Sequence, residues 1–428
     1  MKRYIDQFVI GFALFSMFFG AGNIIFPPYL GLGSGPEWIL GFICYYIADI
    51  GLAIMAIFAL IKNDGDLNNI TDRIGRIPGE IMVAAIILCI GPFIALPRTG
   101  ATTYEMFVTP VFGQISPVIP IIIFFGVSLV LTLRESAVID IIGKFLTPLL
   151  FIGLLVMIVI GMVNPIGEIS DAPMMESVAL EGINAGYQTM DVLAAMIFGI
   201  IIIKSVEEKG YTEAKVKSAT ARNASIVAAI GLLIVYFGLT YLGATTSELF
   251  NMNINRSELI VNISYGLLGE AGTVVLGIVV TLACLTTSIA LITSTADYFH
   301  DLSNGKISYK LIAAVTAIVS AALAMIGTDQ IIAIASPVLS LLYPGAMTLL
   351  ALSFLKEKIS NFTLRFAVVG ALTGSLCTLL YDYGVPLNFV PHLPLNSSGL
   401  GWILFAVIFA IAGMIISKIK NNGQAGSK

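Results

Sequence analysis

Twelve apolar runs follow one another along the 428 residues, each long enough to cross the roughly 30 Å hydrocarbon core of a bilayer. They lie near 5–30, 37–61, 80–104, 117–133, 144–163, 187–204, 219–244, 270–299, 309–326, 331–354, 363–381 and 400–419. Hydrocarbon offers the backbone no water, so each run must be a helix that satisfies its own N–H and C=O groups. Composition agrees: 57% of residues are hydrophobic, 11% are charged and the mean hydropathy is +0.96, whereas soluble domains are about a quarter charged. The expected fold class is an all-α polytopic membrane protein of about twelve spans forming one transmembrane unit. The first run lacks a small-residue cleavage site, so no removable leader is expected.

Charge sets the orientation. Twenty of the 22 Lys and Arg residues fall in alternate loops, from Lys2 and Arg3 to Lys418, Lys420 and Lys428. Arg134 and Lys144 mark the loop between spans 4 and 5, and only Arg98 and Arg256 fall on the other side. Under the positive-inside rule both termini are cytoplasmic and the number of spans is even. The segment 246–268 is too polar to span, and its apolar residues recur at helical spacing, so a short amphipathic helix is expected over the outer face. The Asn/Gly/Ser-rich tail 421–428 reads as disordered. No basic stripe suggests nucleic acid. Cys44, Cys89, Cys284 and Cys377 all lie in apolar runs with no CxxC spacing, which fits reduced core thiols and gives no metal cluster.

Within this regular pattern a few residues break the rules. Span 1 carries Gly20-Ala21-Gly22-Asn23 near its middle, followed by Pro27-Pro28. Small residues there can serve close helix packing. A polar Asn at mid-span beside glycines also fits an unwound segment, whose next half-helix would point its positive end at an anion. Span 6 opens with Gly186-Tyr187-Gln188-Thr189-Met190-Asp191. Asp191 is either a helix cap at the membrane edge or an acid at the break of a second discontinuous helix, which then starts earlier, around 178–184. Spans 1 and 6 are five apart and so run in opposite directions. An inverted repeat of five plus five helices places a binding site between two such breaks. Repeat one would cover about 5–163, repeat two about 178–354, with helices 11 and 12 at about 363–419.

Span 8 contains Ala283-Cys284-Leu285-Thr286-Thr287-Ser288. The three hydroxyls either bond back to their own helix or supply oxygen ligands to an alkali cation. Asp49 in span 2 and Asp297 in span 8 read as packing hydrogen-bonders or gate pairs. Arg98, after Pro97, either pairs with Glu105 or acts at an outer gate.

These motifs carry a resemblance. Phe18-Phe19-Gly20-Ala21-Gly22-Asn23-Ile24-Ile25-Phe26-Pro27-Pro28, Gly91-Pro92-Phe93 with Pro97-Arg98, and Gly186 to Asp191 resemble the bacterial branched-chain amino acid:cation symporter family over nearly the whole chain. That family is similar to the LeuT-like fold of the amino acid-polyamine-cation superfamily. Span 1 looks like its Gly-x-Gly-Asn break and span 8 like its Ala-x-Leu-Thr-Ser stretch. The resemblance implies a Na⁺ site formed by the carbonyls of Ser16, Phe19 and Ala283 with the hydroxyls of Thr286 and Thr287. It implies an α-carboxylate seated against Ala21, Gly22 and Asn23, and an amine facing Tyr187, Gln188 and Thr189. Asp191 is a coupling candidate.

The resulting expectation is a symporter of the bacterial cell membrane that imports Leu, Ile and Val with Na⁺ by alternating access. Proton coupling through Asp191, or another small neutral solute, is the alternative. No organic cofactor is implied, and oligomeric state is not legible. An enzyme would need a catalytic constellation, yet His300 and His392 are far apart at opposite faces. A channel would not need two broken helices.

Overall fold

The computed structural model describes residues 2–63, 65–133, 147–356 and 358–425. The basic loop residues Arg134 and Lys144, and the last three residues of the tail, lie outside them. Among the described residues the fold is all-helical, with no strand. Span 1 is Lys2–Phe18 (1a) followed by Ala21–Ser34 (1b), and span 2 runs from Trp38 to Lys62. At Gly35, whose φ of 48° only glycine adopts readily, the chain turns back. A Cβ added to Gly41 would meet Leu30 and Ser34 within 3.4 Å, a contact that a continuous helix eleven residues long could not make. The remaining spans are Arg76–Phe112, Val118–Leu133, Thr147–Val163, Val178–Glu208, Ala214–Ala244, Arg256–Leu302, Tyr309–Ala324, Thr328–Ser353, Asn361–Asp382 and Trp402–Ala425. Among the described residues each of the twelve expected runs forms helix.

Two expectations change. The last helix continues through Ala425, past the start of the tail read as disordered. Helix propagation adds one hydrogen bond per residue, so a polar sequence of this length can extend an existing helix. The polar segment before span 8 does form a helix from Arg256, as its periodicity requires. It is continuous with span 8 except at Gly269, where φ 66° and ψ −162° kink the chain.

Close crossings of glycine set the core. Cβ atoms at Gly31 and Gly243 would fall on the backbone carbonyls of Thr240 and Pro28, so spans 1b and 7 touch backbone to backbone. Without a hydrophobic force between helices in lipid, such close contact is what holds spans together. Gly182 and Gly186, four apart, do the same for the first half of span 6 against the backbone of Gly41, Tyr45 and Asp49. Gly186 was read as part of a break. It lies instead inside the helix Val178–Thr189, where a missing side chain lets span 2 approach.

Candidate functional site

Both broken spans are broken, each over one or two residues. Helix 1a ends at Phe18 and 1b starts at Ala21, leaving Phe19 and Gly20 between them. The amide of Gly20 turns to the carbonyl of Phe18 (2.7 Å), so Ser16 loses the donor that a continuous helix would supply. Ala21, Gly22 and Asn23 are not unwound. They form the first turn of 1b, where amide N–H groups have no acceptor within the helix and the dipole is positive. In span 6 the break is a single residue. Met190 takes φ 69° and ψ 14° between 6a (Val178–Thr189) and 6b (Asp191–Glu208). A left-handed conformation at a residue with a side chain costs about 1–2 kcal/mol, and the signal is invisible in sequence because neither Gly nor Asn occupies the position.

Side chains tie the two breaks together. Asn23 Nδ2 donates to Asp191 Oδ2 at 2.6 Å and also to the hydroxyl of Tyr236, while its Oδ1 accepts from the Gly20 amide. Thr189 Oγ1 lies 2.7 Å from Asp49 Oδ1, so a fully buried acid of span 2 joins the network. Asp49 thus acts as a packing hydrogen-bonder that braces the end of 6a. Arg98 donates to the carbonyls of Gln188 (2.7 Å) and Thr189 (3.2 Å), and its guanidinium lies 5.5 Å from the Phe26 ring centroid. It caps the negative end of 6a, the position where a cation is favoured. It does not pair with Glu105, which accepts from the Thr328 amide at 2.8 Å. Sequence reading gave neither Arg98 nor Asp49 a place in the site. Their signal was a charge at mid-span, which by itself names no partner.

Between the breaks lies a cavity of about 30 Å³ lined by Gly20, Ala21, Gly22, Asn23, Thr189, Met190, Asp191 and Thr287, with Arg98. Its other wall is apolar and includes Phe18, Ile90, Ala95, Ala194, Phe198 and Leu291. A benzene-sized cavity is about 150 Å³, so the walls must part before an amino acid fits.

Of the residues expected at the amine, Thr189 lines the cavity. Tyr187 stacks on Tyr343 at 4.7 Å and Gln188 gives its carbonyl to Arg98. Of those expected at the cation, Thr287 faces the break. Its hydroxyl would lie 3.5 Å from a Cβ on Gly20, and it is buried without a protein partner. Thr286 turns the other way and bonds the Ala283 carbonyl at 2.8 Å. Ser16 is buried, and Phe19 stacks its ring on Phe15 at 5.5 Å. Asp297 sits among Lys204, His300 and Asp301, away from the cavity.

Each half of span 1 is also latched away from the break. On one side Tyr29 of 1b donates to the Met252 carbonyl (2.6 Å), Arg256 lies 4.2 Å over the Tyr29 ring and pairs with Asp329 at 2.5 Å. On the other, Asp6 of 1a accepts from Tyr211 (2.8 Å) and Lys209 (3.4 Å). Among the described residues no group of three His, Cys, Asp or Glu could hold a transition metal. Two helix breaks, a buried arginine and a buried acid thus meet at one small cavity that has an apolar wall on its other side.

Comparison with known proteins agrees. The nucleobase-cation-symport-1 family transporter Mhp1, in a closed conformation with bromovinylhydantoin bound, superposes with a TM-score of 0.64 at 14% identity, covering 95% of this chain and 91% of that one. At that identity the likeness concerns the fold, and it bears out the expected LeuT-like architecture. The branched-chain amino acid permease BraB of Bacillus subtilis (strain 168) is 35% identical over 428 residues, taking in 96% of this chain and 95% of the permease. The permease BrnQ of the same organism is 36% identical over 426 residues, 96% of each. Residues 3–420 match the family described as branched-chain amino acid transport protein, and the chain belongs to that family of membrane transporters.

Proposed function

We propose that the protein is a symporter that brings leucine, isoleucine and valine into the cell with Na⁺. The observation that carries the coupling ion is the Thr287 hydroxyl, buried, without a partner and turned to the break at Gly20 beside the freed Ser16 carbonyl. Oxygen ligands alone suit a hard monovalent ion. Carbonyls of Ser16, Phe19 and Ala283 with the hydroxyls of Thr286 and Thr287 make the set, which Thr286 joins by releasing its bond to Ala283. Na⁺ bound there fixes 1a against span 8 and holds the first turn of 1b ready for the α-carboxylate. Ion and substrate therefore strengthen each other's binding by the same factor. The apolar wall takes the branched side chain, and discrimination among the three is small because one methylene is worth about 1–3 kcal/mol. The inward Na⁺ gradient drives the cycle, adding about 2.3 kcal/mol per charge per 100 mV. The basic residues place both termini in the cytoplasm, so the Arg256 latch faces out and the Asp6 latch faces in.

Proton coupling is the second reading, favoured by the carboxyl of Asp191 on the cavity wall. Uptake of labelled leucine into proteoliposomes, with and without a Na⁺ gradient at two pH values, separates the two. Uptake indifferent to both gradients defeats the symport reading altogether.

A further inference from the structure

The cavity is lined by a guanidinium and a carboxyl group that do not bond each other. Arg98 is 2% exposed and Asp191 4%, yet among the described residues no ion pair joins them. Buried polar groups are costly when left without partners, so spare bonding capacity on both groups at one cavity invites a ligand. Arg98 has donors to spare. Two of its five N–H groups serve the carbonyls of Gln188 and Thr189, and its Nε is buried with no partner. The guanidinium also abuts 1b: a Cβ on Gly22 would lie 2.8 Å from it, beside the amides of Ala21 and Gly22 that lack acceptors. A carboxylate at this point meets a planar cation and a helix N-terminus together. On the same cavity Asp191 gives one oxygen to Asn23 at 2.6 Å, leaving acceptor capacity on the other. The carbonyls that would otherwise receive an amine on 6a are already bonded to Arg98.

We propose that Arg98 and Asp191 form a clamp for a zwitterion: Arg98, with the amides of Ala21 and Gly22, takes the α-carboxylate, and Asp191 takes the α-ammonium. The proposal rests on the reading of the chain as an amino-acid carrier and names the groups that recognise the amino acid's two charged ends. It also explains why the cations and anions of this site are not simply paired. A direct Arg98–Asp191 bridge would occupy the groups the substrate needs, whereas leaving both free lets the substrate link them once the walls part. The branched side chain then points to the wall of Phe18, Ala95, Ala194 and Phe198.

The test is equilibrium binding of tritiated leucine to the full-length protein in lipid nanodiscs with Na⁺ present. Competitors are leucinol, which lacks the carboxylate, and 4-methylpentanoate, which lacks the amine. Losing a hydrogen bond to a charged group lowers affinity roughly ten- to hundredfold, so the wild type is expected to prefer leucine to either analogue by that factor. In Arg98→Gln the preference for leucine over leucinol disappears, while that over 4-methylpentanoate persists. In Asp191→Asn the pattern reverses. A general structural defect would lower all three ligands together, and that result in both variants overturns the clamp. Should either variant fail to fold, the wild type decides: binding of leucinol or 4-methylpentanoate as tight as leucine overturns it. Wild type that ignores Leu, Ile and Val, yet binds another α-amino acid with the same twofold dependence on charge, overturns the substrate assignment and supports the clamp.

Discussion

Replacing Thr287 by Val exchanges a hydroxyl for a methyl of nearly the same shape, and the structure gives that exchange an unusual sign. The Thr287 hydroxyl is buried and has no protein partner. A buried polar group left unsatisfied costs about 1–3 kcal/mol, so without Na⁺ its removal is expected to leave stability unchanged or raise it by up to that amount. If the oxygen is an ion ligand, its loss weakens Na⁺ binding by about 1.5–3 kcal/mol, the scale of a hydrogen bond to a charged group, or roughly 10- to 150-fold in half-saturation. Leucine affinity at low Na⁺ falls in parallel through linkage, and high Na⁺ restores it. The assay is leucine uptake against Na⁺ concentration in proteoliposomes, with thermal unfolding of the purified protein in Na⁺-free buffer alongside. Thr286→Val is the companion variant: its hydroxyl already bonds Ala283, so it shifts Na⁺ half-saturation and also removes an internal bond. An unchanged Na⁺ half-saturation in Thr287→Val, or destabilisation beyond about 1 kcal/mol without Na⁺, refutes the cation-site argument.

Other expected outcomes follow from neighbouring contacts. Gly22→Ala places a Cβ 2.8 Å from the Arg98 guanidinium and should raise the leucine half-saturation at least several-fold, whereas Gly126→Ala, which meets nothing within 4 Å, should leave uptake unchanged; equal effects would remove the close approach as the cause. Arg256→Ala loses a partly buried ion pair with Asp329 and a cation–π contact with Tyr29, together about 1–2 kcal/mol, and should shift the population toward the open outer mouth by roughly 5- to 30-fold. Faster labelling of a cysteine introduced at Ala95 by a membrane-impermeant thiol reagent reports that shift, and slower or equal labelling contradicts it. Tags at either terminus should resist external protease in intact cells and be cleaved after permeabilisation; cleavage of either tag in intact cells would reverse the orientation read from the basic residues.

Much of this architecture was legible before any coordinates. Lipid cannot satisfy a bare backbone, so apolar length alone fixed twelve helices, and the rule held even where Gly327 to Gln330 leaves little separator. The break in span 1 was legible because a polar Asn23 at mid-span follows two glycines, a combination close packing alone does not require. The break in span 6 was legible only as a region. Its hinge is Met190, and nothing about a methionine announces a positive φ.

What the tertiary structure decided is which polar groups meet. Gly186 reads in sequence as part of the span 6 break, and only the approach of span 2 makes it a packing position instead. Thr286 and Thr287 are adjacent in sequence, but a helix turns about 100° per residue, so one bonds its own helix while the other faces the break. Arg98 and Asp191 are 93 positions apart and meet one cavity because spans 3 and 6 converge on it. The sequence determined the membrane, the spans and the residues too polar to be there by chance. Partnership between charges on different helices depends on distances in space, which no local pattern encodes, and there the fold alone assigned the roles.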